Sequence, residues 1–360
     1  MKEKVKVGLV GCGVVANRYY LPAISSADGI ELTCVCDVVK ERAKEVMEQF
    51  GAKEYYLDYS EMLQKADIEA VVILTNAQYH FSLSLKALKA GKHVYTEKTM
   101  ALTLKEADIL IKEAEKRGLK LASAPAVMLS PVNQQIKKVI KRGLIGKVCF
   151  ICAHSSHNGP ASWENFTTDP TWFYKKGAGP LYDLGIYALH TLTGILGPAK
   201  RVTALSGVSI PEVTIRSGIA KGKKIKVEVD DNTLLLLDFG ENAFAYVDAT
   251  FCMKVSRGPA TVFYGSEGVI TSGGFGAGPL EVYTEKEELA IRGWITPYSP
   301  LGAVEPVWDL SYGIVHFSEC IRENRKPVIS GEHAKHVLEI MLKAYESAKS
   351  GQAQRLATTF

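Results

Sequence analysis

The sequence predicts an α/β domain followed by an α+β domain, and three observations predict it. A β-branched apolar run, Val5–Val10, passes directly into a glycine turn and then into helix-compatible residues. Strand-like and helix-like segments alternate up to about residue 125, the pattern of a doubly wound parallel sheet. Beyond it, short strands follow one another across turn-sized gaps, the mark of antiparallel hairpins. We therefore expect two domains, residues 1–125 and 126–360, with the final helix packing back towards the first.

In the first domain, residues 32–36 read as a second strand ending at Asp37. Lys40–Phe50 reads as a helix with Gly51 as its stop. Residues 55–57 form a short strand, and Tyr59–Lys65 a short helix with Ser60 as its cap. The apolar run 70–74 is a buried parallel strand. A helix over 80–89 stops at Gly91, and His93–Thr96 is the next strand. Thr103 and Glu106 make a capping box for a helix over 103–117, closed by Gly118, and a strand follows over 119–123.

In the second domain a helix over 132–142 ends at Gly143-Leu-Ile-Gly146. Strands are expected over 147–153, 200–208, 225–229, 232–239, 243–251, 261–265, 269–271 and 280–284. The run 273–278 is glycine-rich but lacks the Lys-Ser/Thr of a phosphate loop, so it reads as a flexible loop. Two helices close the chain, over 307–323 and 332–349.

Composition narrows the function. The 360 residues are 47% hydrophobic and 23% charged, a globular profile long enough for two cores. A net charge of +4 without a dense basic stripe argues against a nucleic-acid or membrane surface. The opening Met-Lys-Glu-Lys leads straight into a strand, so no signal peptide is expected, and no apolar run reaches spanning length. A cytoplasmic location is expected. The seven cysteines are odd in number and lack the spacing of a zinc knuckle; they read as buried free thiols, with no metal site.

Several residues point to chemistry. In Gly11-Cys12-Gly13-Val14-Val15-Ala16, Gly11 permits a tight turn, Gly13 lets a pyrophosphate approach the backbone, and Ala16 lets the helix pack close. The free N–H groups of the helix start, with Val14 and Val15, then face the phosphates. Asp37 lies 21 residues after Ala16, at a strand end, where a carboxylate accepts ribose hydroxyls and repels a 2′-phosphate. That favours NAD, with nearby Arg42 leaving NADP open. Thr75 and Asn76 follow the buried strand and sit where ligands bind, with His80 a second choice. Glu97-Lys98 follows the next strand. A lysine packed against a nicotinamide loses solvation and can take or hold a hydroxyl proton, while Glu97 orients it or binds the ribose; the plain alternative is a solvated ion pair. Asp183, Tyr187 and His190 fall at i, i+4 and i+7, one face of a regular helix. His154, His157, Trp163 and Trp172 lie in a polar stretch that we expect to line the substrate pocket.

Taken together these segments resemble the glucose–fructose oxidoreductase / inositol dehydrogenase (Gfo/Idh/MocA) family. The resemblance covers nearly the whole chain. It rests on Val7-Gly-Leu-Val-Gly-Cys-Gly13, Cys36-Asp37, Gly91-Lys-His-Val-Tyr-Thr-Glu97-Lys98, Gly143-Leu-Ile-Gly146, Asp183-Leu-Gly-Ile-Tyr187 and the final helix. It implies a Rossmann domain, then an open, largely antiparallel sheet with helices on one face, usually the oligomer interface. A homodimer or homotetramer through that sheet is expected. It also implies NAD(P)-dependent oxidation or reduction of a secondary alcohol on a sugar, polyol or cyclic alcohol. By position Lys98 matches the family's Glu-Lys-Pro lysine, and Asp183 the aspartate of Asp-x-Gly-x-His. Thr99 replaces the proline, which leaves the backbone geometry after Lys98 open. Tyr187 stands where many members carry the catalytic histidine, so the resemblance makes it the acid/base, with Lys98, Asp183 and His190 as partners. Two other outcomes stay open: glycoside hydrolysis through transient oxidation by held NAD, and a non-catalytic NAD sensor.

Overall fold

The computed structural model describes residues 4–164, 168–274, 279–297 and 309–360. Phe275–Gly278 of the expected glycine-rich loop, and the first residues of the helix expected over 307–323, lie outside them. The chain divides into two compact units. The first comprises Met1–Leu129 and Asp309–Leu338, the second Ser130–Trp308 and Glu339–Phe360. Residues 309–338 thus group with the first unit, and they include the start of the final helix, Gly331–Ser350. Their apolar residues, Ile314, Phe317 and Ile329, join its core cluster.

Unit 1 is a six-stranded sheet of β1 (Val5–Val10), β2 (Ile30–Cys36), β3 (Glu54–Tyr56), β4 (Ala70–Ile73), β5 (His93–Thr96) and β6 (Leu121–Ser123). The order is β3-β2-β1-β4-β5-β6 and every pairing is parallel. This is the dinucleotide-binding order, with the topological switch between β1 and β4. The connecting helices are α1 (Leu21–Ser26), α2 (Lys40–Phe50), α3 (Tyr59–Lys65), α4 (Ala77–Lys89) and α5 (Leu104–Arg117). The capping box at Thr103 and Glu106 forms in full. Helix α3 is capped by Asp58, not Ser60: Asp58 precedes the first helical residue and accepts the Glu61 N–H at 2.7 Å. Helix α4 starts at Ala77, earlier than expected, because Asn76 already has extended backbone and serves as its N-cap.

The helix Tyr312–Arg322 sends Phe317 against Tyr95 of β5, ring centroids 5.9 Å apart. Phe317 is fully buried, and burying such a side chain contributes about 1.5–3 kcal/mol.

Unit 2 holds the helix α6 (Pro131–Lys141) and, after β7 (Val148–His154), the helix α7 (Ile186–Leu196). Its remaining strands are β8 (Arg201–Gly207), β9 (Glu212–Thr214), β10 (Lys224–Lys226), β11 (Asn232–Gly240), β12 (Ala243–Thr250), β13 (Thr261–Gly265), β14 (Gly268–Ser272), β15 (Leu280–Lys286), β16 (Ile291–Ile295) and β17 (Gln354–Arg355). Nine of the unit's strands form one sheet, β16-β15-β14-β13-β7-β12-β11-β8-β17, and β9 pairs with β10 separately. All ladders are antiparallel except β7 with β12. At the β11–β12 turn Glu241 and Asn242 both take positive φ, as a tight two-residue hairpin demands.

Alternation assigns the two faces of this sheet. Ile151, Ala153, Leu235, Leu237, Ala245 and Val247 are buried. On that side Gly185 lies so close to Ala249 that an added Cβ would fall 2.9 Å from the Ala249 Cβ. Ser347 of the C-terminal helix meets the Ala204 N–H at 3.1 Å. The alternate residues Phe150, Leu236, Phe244 and Tyr264 are exposed. Phe150 stacks on Tyr264 with centroids 5.7 Å apart, and Phe244 pairs beside Phe150 in register.

His316 gives unit 1 a pH dependence. Its Nε2 faces the Val328 N–H at 2.9 Å. Burial first, and then the Arg325 charge, pull its pKa from 6.5 to about 4. The folded state thus refuses a proton that the unfolded chain binds below pH 6.5, and this share of stability is lost as pH falls from 6.5 towards 4. Thermal unfolding across that range should show a steeper acid loss in the native chain than in His316→Gln.

Candidate functional site

Each unit carries candidate residues of its own. In unit 1, β1 delivers the chain to Gly11 at φ +95°, a backbone that L side chains rarely adopt. A Cβ there would lie 2.9 Å from the Leu74 carbonyl. Asp37, at the end of β2, holds the turn: its carboxylate accepts the Cys12 N–H at 2.8 Å and the Val39 N–H at 2.8 Å. Asn17 braces the turn from the helix side, donating to Cys12 O and Gly13 O at 3.0 Å each. Burial first, then the Asp37 charge, push the Cys12 thiol up to about 12, so it stays protonated.

The residues fit a dinucleotide. A Cβ on Gly13 would meet no atom within 4 Å, so the backbone there faces open space. Val14 and Val15, next along the chain, are exposed. Buried Ala16 packs in the core cluster. Thr75 abuts Gly11 through Cγ2, and its buried Oγ1 lacks a hydrogen-bond partner among the described residues. Asn76 is exposed and makes no side-chain cap bond, and Arg42 is exposed on α2.

Glu97 and Lys98 follow β5. Glu97 is buried, and its Oε2 accepts the Lys98 N–H at 2.9 Å. Its Oε1 accepts the Tyr20 hydroxyl at 2.5 Å. The Glu-Lys pair is therefore not a solvated surface pair, because the carboxylate is spent inside the fold. The Lys98–Thr99 peptide is cis although Thr99 is not proline. His80 is fully buried, its Nδ1 2.8 Å from Thr99 O and its Nε2 2.8 Å from Thr75 O. Its ring thus spans the loops after β4 and β5 and does not open onto the glycine turn.

In unit 2, Leu181–Gly185 is a π-helical turn running into α7. Asp183 lies in this wider turn, while Tyr187 and His190 lie on α7. Asp183 therefore precedes the regular turns of α7 that carry Tyr187 and His190. Asp183 and Tyr187 are half-buried and His190 is buried. Asp183 makes no helix cap.

The stretch expected to line one pocket splits. His154 ends β7 on the exposed side of the sheet, opposite the side that Gly185 approaches. There its Nδ1 meets Asp248 Oδ2 at 2.5 Å, and the Ser156 hydroxyl binds the other carboxylate oxygen. A one-residue alternation decides this, and a loop reading could not see it. His157 stacks on Phe251 at 5.4 Å and meets the Trp163 ring edge-on at 5.0 Å. Phe251 also lines a cavity of about 220 Å³ with Asn158, Ser162, Tyr174 and Arg216. Tyr174 and Phe251 share a core cluster with Leu184 of the π turn. Trp172 is exposed and stacks on Phe173. Sequence reading passed over Tyr20 and Asn17, whose only signal was their place in the helix after the glycine turn.

The comparisons with known proteins agree with this layout. Residues 5–124 match the model of an oxidoreductase family with an NAD-binding Rossmann fold, and residues 133–271 match the GFO/IDH/MocA C-terminal domain. The scyllo-inositol 2-dehydrogenase (NAD(+)) of Bacillus subtilis (strain 168) is 24% identical, over 99% of this chain and 97% of its own length. The D-apiose dehydrogenase of Paraburkholderia graminis is 25% identical, over 98% and 90%. The solved structure of levoglucosan dehydrogenase in complex with NADH and L-sorbose has a TM-score of 0.83 at 21% identity, covering 99% of each chain. At that identity it speaks for the fold alone. Two domain models of one family, side by side along this chain, establish that this protein belongs to the Gfo/Idh/MocA oxidoreductase family.

Proposed function

We propose that the protein transfers hydride between NAD and a secondary alcohol of a sugar, polyol or related cyclic alcohol. One observation carries the reading. Lys98 is half-buried at the carboxyl edge of the same parallel sheet as the glycine turn, and a buried carboxylate fixes its main chain. A lysine placed so is built for chemistry beside a dinucleotide rather than for solubility. The relatives' names give the substrate class, which we carry over to this chain.

NAD, when bound, supplies the nicotinamide carbon that exchanges hydride. The hydroxyl proton is the protein's share. We assign it to Lys98 and Tyr187, with Asp183 orienting the substrate hydroxyls and buried His190 supporting the helix that carries Tyr187. Gly11, Gly13, Val14, Val15 and Ala16 seat the pyrophosphate. Asp37 shapes this seat and faces the adenosine ribose, and Thr75 and Asn76 border it. His157, Trp163 and the cavity beside Phe251 are the parts of unit 2 we assign to substrate specificity. The absence of disulfides among the cysteines suits a reducing, cytoplasmic setting, and no described helix is long and apolar enough to cross a membrane.

The exposed ladder of Leu236, Phe244, Phe150 and Tyr264 supports a further reading, a homodimer or homotetramer through this sheet face. A contiguous apolar sheet face in water favours a partner.

Lys98→Ala and Tyr187→Phe should each lower kcat by about 10²–10⁴-fold, the scale of a lost proton-transfer group, while NAD binding measured by calorimetry stays near native. Turnover that survives both changes refutes the assignment. Phe244→Asp should shift the light-scattering mass towards the monomer; an unchanged mass removes the sheet-face reading.

A further inference from the structure

Tyr20 is a fully buried tyrosine on the helix that follows the glycine turn. The chain there is a π-helical turn, Ala16–Tyr20, closed by the Leu21 N–H on Ala16 O. Pro22 follows at the second residue of α1. A proline has no N–H to continue the regular ladder, and a wider turn before it absorbs the mismatch. Tyr19 stays exposed while Tyr20 points inward.

Inside, the Tyr20 hydroxyl meets two groups. It donates to Glu97 Oε1 at 2.5 Å and lies 3.0 Å from the Tyr95 hydroxyl. The Tyr20 and Tyr95 rings pack edge to face at 5.8 Å. Burial first, then the Glu97 charge, hold the Tyr20 phenol well above its usual range, so it remains a donor. The second Glu97 oxygen holds the Lys98 N–H. A buried carboxylate is tolerated only when such donors satisfy it. Without Tyr20, Oε1 loses this donor and Glu97 is free to turn. At its other end the same helix grips the glycine turn through Asn17. A continuous chain of contacts therefore runs from Cys12 and Gly13, through Asn17 and Tyr20, to Glu97 and Lys98.

We propose that Tyr20 is a positioning residue: through Glu97 it sets the main chain of Lys98, and it ties that position to the helix whose start seats the pyrophosphate. This rests on the reading of Lys98 as a proton-handling group. Tyr20 touches neither substrate nor cofactor in this scheme; it acts only through Glu97.

The test is Tyr20→Phe, which keeps the ring and its packing on Tyr95 and removes only the hydroxyl. Three readouts apply: kcat and KM, NAD affinity by calorimetry, and the rate at which an amine-reactive reagent modifies Lys98, followed by peptide mass spectrometry without NAD. We expect kcat to fall about tenfold, the order of a mispositioned proton-transfer group, with KM for NAD nearly unchanged. The Lys98 modification rate should change while that of exposed Lys44 does not. Glu97→Gln should reproduce the pattern, and the double variant should be no worse than the single ones, since both act on one contact. If Tyr20→Phe fails to fold, Glu97→Gln alone decides. Native kcat with native Lys98 modification overturns the proposal, as does a fall in kcat that follows NAD affinity alone. Failure of the underlying reading shows separately, as an active Lys98→Ala whose Tyr20→Phe counterpart still changes Lys98 modification.

Discussion

A parallel sheet covered on both faces leaves its polar side chains only the strand ends to emerge from, and those next to the glycine turn emerge at the carboxyl ends. In unit 1 the strand interiors are apolar: Val7, Leu9, Val35, Val71 and Val72 are fully buried. Asp37, Thr75 and Glu97 all come just after strands end. Each backbone group released there needs a partner, and the polar residues supply them. Asp37 takes the Cys12 and Val39 N–H groups, His80 lies between the carbonyls of Thr75 and Thr99, and Glu97 takes the Lys98 N–H. The functional edge is thus also the place where the fold closes its hydrogen-bond account.

These residues therefore serve structure first. Asp37 ties the end of β2 to the glycine turn through the Cys12 N–H. Glu97 is held by Tyr20 and so is not free to reach outward. Lys98, its main-chain N–H held by Glu97, is half-buried at this edge. The buried thiols behave likewise: burial pushes Cys12, Cys34 and Cys36 up to about 12, which keeps them inert beside the turn.

Unit 2 follows a different constraint. Among the described residues one face of its sheet is buried and the other exposed, and strict alternation separates the two. The covered side receives the π turn with Asp183, seated by the missing side chain of Gly185. The exposed side carries an aromatic ladder and the His154–Asp248 pair. Tandem histidines three apart, which look equivalent on paper, end in different surroundings because β7 stops between them: His154 keeps strand alternation and His157 falls among Trp163 and Phe251.

Much was legible in the sequence because it depends on neighbours along the chain. The boundaries of Lys40–Phe50, Tyr59–Lys65, His93–Thr96 and Thr261–Gly265, the Thr103–Glu106 capping box and the glycine turn all follow from short-range periodicity, capping and backbone freedom. Contacts between distant residues were not legible. A return was expected only of the final helix; that the preceding helix, Tyr312–Arg322, joins the first unit too depends on Phe317 finding Tyr95. The face taken by His154 depends on register with β12, and the purpose of Tyr20 depends on Glu97, far along the chain. Both π turns, before Pro22 and before α7, also defeat a fixed helical period, since they change the count of residues per turn. Local sequence determined which elements form and where the glycine turn sits. Only tertiary packing decided which side chains meet, because burial and hydrogen bonding are settled between segments that the linear order keeps apart.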